Sequence, residues 1–188
     1  YNAILVHLWQ IDLAYSYNLL LMVVFALLCV ELFSVAFNLS ANLSQFRLIT
    51  AAGAGVLAIF LVALGANGHT MWYFFTQGDF SGYWYPNATR FIERTIHEFP
   101  AYSFVVCDLH AHVLSLPISL FLLLVIFLWF HELFQSKKLQ NLRDLSKQRF
   151  FAFAALAGVC LGILVMTNTW DVLIYGFLLS IISIFLLV

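Results

Sequence analysis

Residues 17–38 read YNLLLMVVFALLCVELFSVAFN, an apolar run broken by one charge, Glu31. About 20 apolar residues in α-helical form cross the hydrocarbon core of a bilayer. The run lacks the period-2 alternation of a barrel strand, and a helix pairs its own backbone polar groups where no water can. Four further runs follow the same pattern: 49–66, rich in Ala and Gly; 113–133, with Pro117 near its start; 150–167; and 172–188. The first dozen residues read as the end of an earlier span or a re-entrant turn. The chain starts at Tyr1 and ends in SIISIFLLV with no polar flank, which reads as a piece of a longer membrane protein. The expected fold is all-α: one domain over 1–188, a polytopic transmembrane helical bundle of about five spanning helices, with a long external loop (67–112) that carries an interfacial helix.

Composition supports this expectation. Of 188 residues, 64% are hydrophobic and only 9% charged, against about 25% charged in a soluble domain; the mean hydropathy is +0.98. Such a chain cannot clothe a water-soluble enzyme, and it is far from a disordered one. A net charge of −1 offers no basic field for a polyanion, which excludes nucleic acid as a partner. Cys29, Cys107 and Cys160 fit no disulfide or metal spacing.

The basic residues orient the bundle. Arg47 lies in the 39–48 loop, and Lys137, Lys138, Arg143, Lys147 and Arg149 lie in the 134–149 loop; only Arg90 and Arg94 fall on the other side. The positive-inside rule makes 134–149 cytoplasmic and 67–112 external. The expected location is an integral membrane protein of a prokaryotic plasma membrane, in contact with membrane lipid.

The external loop, NGHTMWYFFTQGDFSGYWYPNATRFIERTIHEFPAYSFVVCDLHAH, holds most of the ionisable groups. Within it, 88–99 places Ile92, Ile96 and Phe99 at helical spacing opposite Arg90, Glu93, Arg94 and His97, the pattern of an amphipathic helix lying on the membrane. In Asp108-Leu109-His110-Ala111-His112, an extended backbone aims three polar side chains one way, whereas a helix pairs Asp108 with His112 and turns His110 aside. The set suits a divalent metal ion, a phosphate or other substrate group, or plain hydrogen bonding. Ionisable groups at the edge of an apolar span are costly unless they face a cavity or a partner. Asn168-Thr169-Trp170-Asp171, in a very short turn, is expected at nearly the depth of Asp108, with Asp171 as helix cap and Trp170 as interface anchor the alternative. Trp72 to Phe75 and Tyr83-Trp84-Tyr85 read as an aromatic belt or as platforms for a sugar ring. Glu31 is expected to face other helices.

The order Tyr83-Trp84-Tyr85, Ala88-Thr89-Arg90, Glu98-Phe99-Pro100-Ala101-Tyr102-Ser103-Phe104 and Asp108-Leu109-His110-Ala111-His112, ending at Leu116-Pro117, resembles the "YYY" family of uncharacterised multi-spanning membrane proteins. Asn168-Thr169-Trp170-Asp171 resembles that family's later N-[ST]-W-D motif, and Leu64 to Gly68 its L-x-G-N stretch. His97 and Tyr102 depart from its pattern. The family is similar to the C-type glycosyltransferase superfamily, whose members work at the outer face on sugars carried by lipid phosphates. The resemblance implies a membrane glycosyltransferase-like protein that takes a sugar from a polyprenyl-phosphate donor, with Asp108, Glu98 and Asp171 as catalytic carboxylates. On that reading Arg90, Arg94, Trp84, Tyr85, Trp170 and Asn168 are the expected substrate contacts, and Asp108, His110 and His112 are the expected holders of a divalent metal ion. The second reading is a non-enzymatic structural or assembly subunit with membrane-protein partners, and the third a transporter.

Overall fold

The computed structural model describes residues 2–42, 47–138 and 147–187. Among the described residues there are eight α-helices: α1 (Asn2–Trp9), α2 (Leu13–Asn42), α3 (Leu48–Ala58), α4 (His69–Gln77), α5 (Pro100–Val105), α6 (Ala111–Lys138), α7 (Lys147–Thr167) and α8 (Thr169–Leu187). No strand is present among the described residues. Within the 134–149 loop, residues 139–146, including Arg143, lie outside the described residues, as does Val188 at the end of the fifth expected span.

Each expected span is helical through its described residues, except that the second, 49–66, ends its helix at Ala63. Leu13–Asn42, Ala111–Phe134 and Arg149–Thr167 are long and apolar enough to cross a membrane; Leu48–Ala63 and Thr169–Ile184 are shorter apolar helices. At about 1.5 Å per residue, α2 outruns a hydrocarbon core of about 30 Å and projects from it. The core lies on α6, of whose spanning window 44% is buried against 17% for α2 and for α7. One side of the bundle packs Leu28 and Leu32 of α2 with Ala63, Leu116 and Leu120. The other packs Leu122 and Ile126 of α6 with Ala157, Cys160 and Leu164 of α7 and with Val172 and Leu179 of α8. The outer faces stay apolar and exposed, as at Met22, Val30, Phe60, Val159 and Phe177, which is what a helix facing lipid tails requires.

Small residues set the close approaches. A Cβ at Gly55 would lie 2.5 Å from the Phe33 ring, so the glycine lets α3 seat on α2. α3 ends in a π-helical turn, Ile59–Ala63, closed by Leu64 N–H to the Ile59 carbonyl at 3.3 Å. A Cβ at Gly65 would stand 2.1 Å from the Leu61 carbonyl oxygen, and the chain leaves the bundle there. Glu31 faces inward in part, and its Oε2 is buried without a hydrogen-bond partner.

The 88–99 helix does not form. Tyr85–Thr89 is a single 3-10 turn, and the backbone then runs irregularly to Phe99. Pro86 starts the turn, Thr89 turns its hydroxyl back onto the Pro86 carbonyl at 2.8 Å and is fully buried, and His97 N–H reaches the Thr89 carbonyl at 3.0 Å. Arg94 takes a left-handed φ of 60°, and Pro100 keeps Phe99 extended. The spacing of Ile92, Ile96 and Phe99 is therefore not an amphipathic face; Ile92 and Ile96 are exposed. The loop's helices are instead α4, bounded by Gly68 and Gly78 at positive φ, and α5, opened by Pro100.

Candidate functional site

Four of the loop's ionisable side chains meet at the start of α6. Glu98 precedes α5, Asp108 and His110 follow it, and His112 lies in the first turn of α6. Glu98 Oε2 lies 3.3 Å from His110 Nδ1 and 3.4 Å from His112 Nε2. Asp108 Oδ2 reaches the same His110 Nδ1 at 3.3 Å. The two imidazoles stack, centroids 5.5 Å apart and planes within 13°. The Glu98 side chain is 18% exposed, while Asp108, His110 and His112 are about half exposed. One carboxylate thus sits beneath two rings and the other stands at the solvent side.

The backbone that brings them together is held from a distance. Cys107 adopts a left-handed φ of 57°, which breaks α5 and swings Asp108 back. Asp108 N–H donates to the Ser103 carbonyl at 2.8 Å. Tyr17, at the start of α2, donates its hydroxyl to the Cys107 carbonyl at 2.8 Å and accepts from Leu109 N–H at 3.2 Å. Sequence reasoning missed Tyr17, because an aromatic at the head of a span reads as an interface anchor and nothing local ties it to a residue 90 positions on.

The other expected contacts divide. Arg90 stands over the Trp84 ring at 5.6 Å, a cation–π arrangement, and its guanidinium donates to the Pro86 carbonyl at 3.4 Å. Tyr85 packs on Tyr102 with ring centroids 5.3 Å apart; burial, then the neighbouring Tyr83 and Tyr102, push its hydroxyl above the ordinary phenol range. Arg94, 91% exposed, faces its neighbour Glu93 at 3.6 Å and does not join the cluster.

The expected common depth of Asp171 and Asp108 is corrected too. Asp171 Oδ2 accepts from the Ser119 hydroxyl at 3.2 Å. Ser119 is seven residues past His112 on α6, about 10 Å along the axis. Asp171 occupies the first turn of α8, where a carboxylate favours the helix dipole, and Asn168 accepts its N–H at 3.1 Å. Trp170 is largely exposed.

No group of three His, Cys, Asp or Glu side chains among the described residues is disposed to hold a metal ion. Glu98, Asp108, His110 and His112 contact one another in pairs at 3.3–3.4 Å, and no three of them are gathered about a common point. The arrangement does not fit a divalent ion on Asp108, His110 and His112.

An open apolar groove of about 400 Å³ lies between α2, the end of the π-helical turn and α5. Leu21, Phe25, Leu64, Tyr85, Phe104 and Val105 line it. α5 forms one wall, and Glu98 and Asp108 flank the two ends of α5.

Fold and site together define a polytopic α-helical membrane protein with an ionisable cluster where a loop returns to the bundle. The whole chain, residues 1–188, matches the family described as "Uncharacterized membrane protein (DUF2298)", and the chain belongs to that family. No curated protein and no solved structure matches it.

Proposed function

We propose that the chain carries part of the reacting centre of a membrane glycosyltransferase that takes its sugar from a polyprenyl-phosphate donor. The observation that carries this reading is the convergence of Glu98, Asp108, His110 and His112 through contacts of 3.3–3.4 Å, on a segment whose helix α5 walls an apolar groove. In the proposed step Asp108 accepts the proton of the acceptor hydroxyl. The acceptor oxygen bonds to the anomeric carbon, the bond from that carbon to the phosphate oxygen breaks, and the electron pair leaves with the lipid phosphate. Glu98 orients both imidazoles. His110 or His112 donates an N–H to the departing phosphate, which Arg90 also stabilises. Tyr85, which both lines the groove and neighbours Trp84, bridges the lipid path to Arg90. Arg47, Lys137, Lys138, Lys147 and Arg149 lie at the opposite ends of the helices from the cluster, which under the positive-inside rule supports an external cluster.

The test is sugar release from a polyprenyl-phosphate-linked donor by the full-length protein in lipid nanodiscs. Asp108→Asn and Glu98→Gln are expected to lower the rate at least 100-fold, within the range general acid–base groups contribute, with helix content unchanged. Wild-type rates in both folded variants would overturn the assignment and favour the non-enzymatic assembly subunit, whose function survives those changes.

A further inference from the structure

A second groove, of about 310 Å³, is lined by Asn67, Gly68, His69, Trp72 and Phe91. We propose that it binds a carbohydrate ring, the acceptor sugar of the transfer reaction; this deepens the glycosyltransferase reading and rests on it for the word acceptor.

The volume falls at the small end of ligand sites, enough for a ring but not for an extended lipid. Its lining differs in kind from that of the first groove. Three ring systems meet here: His69 lies parallel to Phe91 at 5.7 Å and 13°, and tilted to Trp72 at 5.5 Å. Trp72 is 61% and Phe91 55% exposed, so two aromatic faces stand open in a segment outside the apolar helices. An aliphatic chain needs no such faces. A pyranose, apolar on its C–H face and polar at its edge, matches aromatic faces combined with a few fixed polar groups.

Those polar groups are held in advance. Asn67 donates its amide to the Ala88 carbonyl and accepts from His69 N–H at 3.2 Å. His69 Nδ1 lies 3.2 Å from the Tyr83 hydroxyl, itself 2.9 Å from the Thr70 hydroxyl. With Nδ1 engaged, Nε2 is the ring nitrogen left to meet a sugar hydroxyl. Groups locked before binding lose little freedom on it. One groove residue is tied to the segment that leads into the cluster: the Phe91 ring meets the His97 ring edge-on at 4.3 Å, and His97 precedes Glu98 in the chain.

The probe is a panel of neutral trisaccharides of glucose, mannose, galactose and N-acetylglucosamine, with indole as an aromatic that is not a sugar. Binding is read by saturation-transfer NMR on the full-length protein in nanodiscs. At least one trisaccharide is expected to bind, at least 10-fold more weakly to Trp72→Ala, within about threefold of wild type to Trp72→Phe, and unchanged in Phe151→Ala on the outer face of α7. No trisaccharide bound, indole bound alone, or wild-type binding by a folded Trp72→Ala would each overturn the proposal. Trisaccharide binding lost in Trp72→Ala but without any transfer removes the enzymatic reading and leaves the ring site standing. Glu98-dependent transfer whose acceptor KM is unmoved by Trp72→Ala and Trp72→Phe removes the ring site alone.

Discussion

The two ends of α6 manage charge in opposite ways. At the far end Glu132 pairs with Arg149 of α7, one anion and one cation facing each other across a helical hairpin, with the arginine 66% exposed. Such a pair is worth about 0–1 kcal/mol and leaves both helices regular. At the near end two carboxylates meet imidazoles, on backbone that is not helical between Val106 and His110. A regular helix spaces side chains by its own period, so a four-membered cluster from residues 98, 108, 110 and 112 needs a chain that breaks and doubles back. Irregular backbone is tolerated at such a place because hydrogen bonds from elsewhere hold it, here those of Tyr17.

The contrast is open to direct attack. The largest effect is expected from Glu98→Gln set against Arg149→Gln: a loss of at least 100-fold in sugar transfer for the first and less than about twofold for the second, measured side by side in nanodiscs. Equal effects would erase the distinction between the ends. Gly65→Ala comes next. Its methyl collides with the Leu61 carbonyl, and about 1–3 kcal/mol of destabilisation is expected, read by thermal unfolding in detergent. Tyr17→Phe removes a donor and an acceptor from the 107–109 turn. About 1–2 kcal/mol of local stability should go, seen as faster proteolysis of the loop with the helices intact. A Tyr17→Phe loop as resistant as wild type would show that the turn holds itself.

Asp171→Asn should cost less, within a few-fold of wild-type transfer, because the amide oxygen still accepts from Ser119; a loss as deep as that of Glu98→Gln would return Asp171 to the site. The smallest effect concerns Tyr85. Its folded pKa is raised, so its contribution to stability is complete below the unfolded value of about 10 and is lost as pH climbs through the raised value. Tyr85→Phe should flatten the alkaline edge of the stability profile, checked against the phenolate absorbance of the wild type.

The helices were legible as a run of letters, and the polar loop with them. In lipid a backbone must satisfy its own polar groups, so an apolar run of sufficient length has one outcome whatever packs beside it. The residues of the cluster were legible as well, because charges beside apolar spans are costly and therefore conspicuous. Their partners were not. Ile92, Ile96 and Phe99 kept a helical period that the buried Thr89, the turned Arg94 and Pro100 overrode. Asp171 looked level with Asp108 until Ser119 placed it two turns along α6. Periodicity is a local property, written in neighbours three or four apart. Which carboxylate meets which imidazole depends on contacts such as Tyr17 to Cys107, made across the bundle, and on the left-handed residue they hold in place.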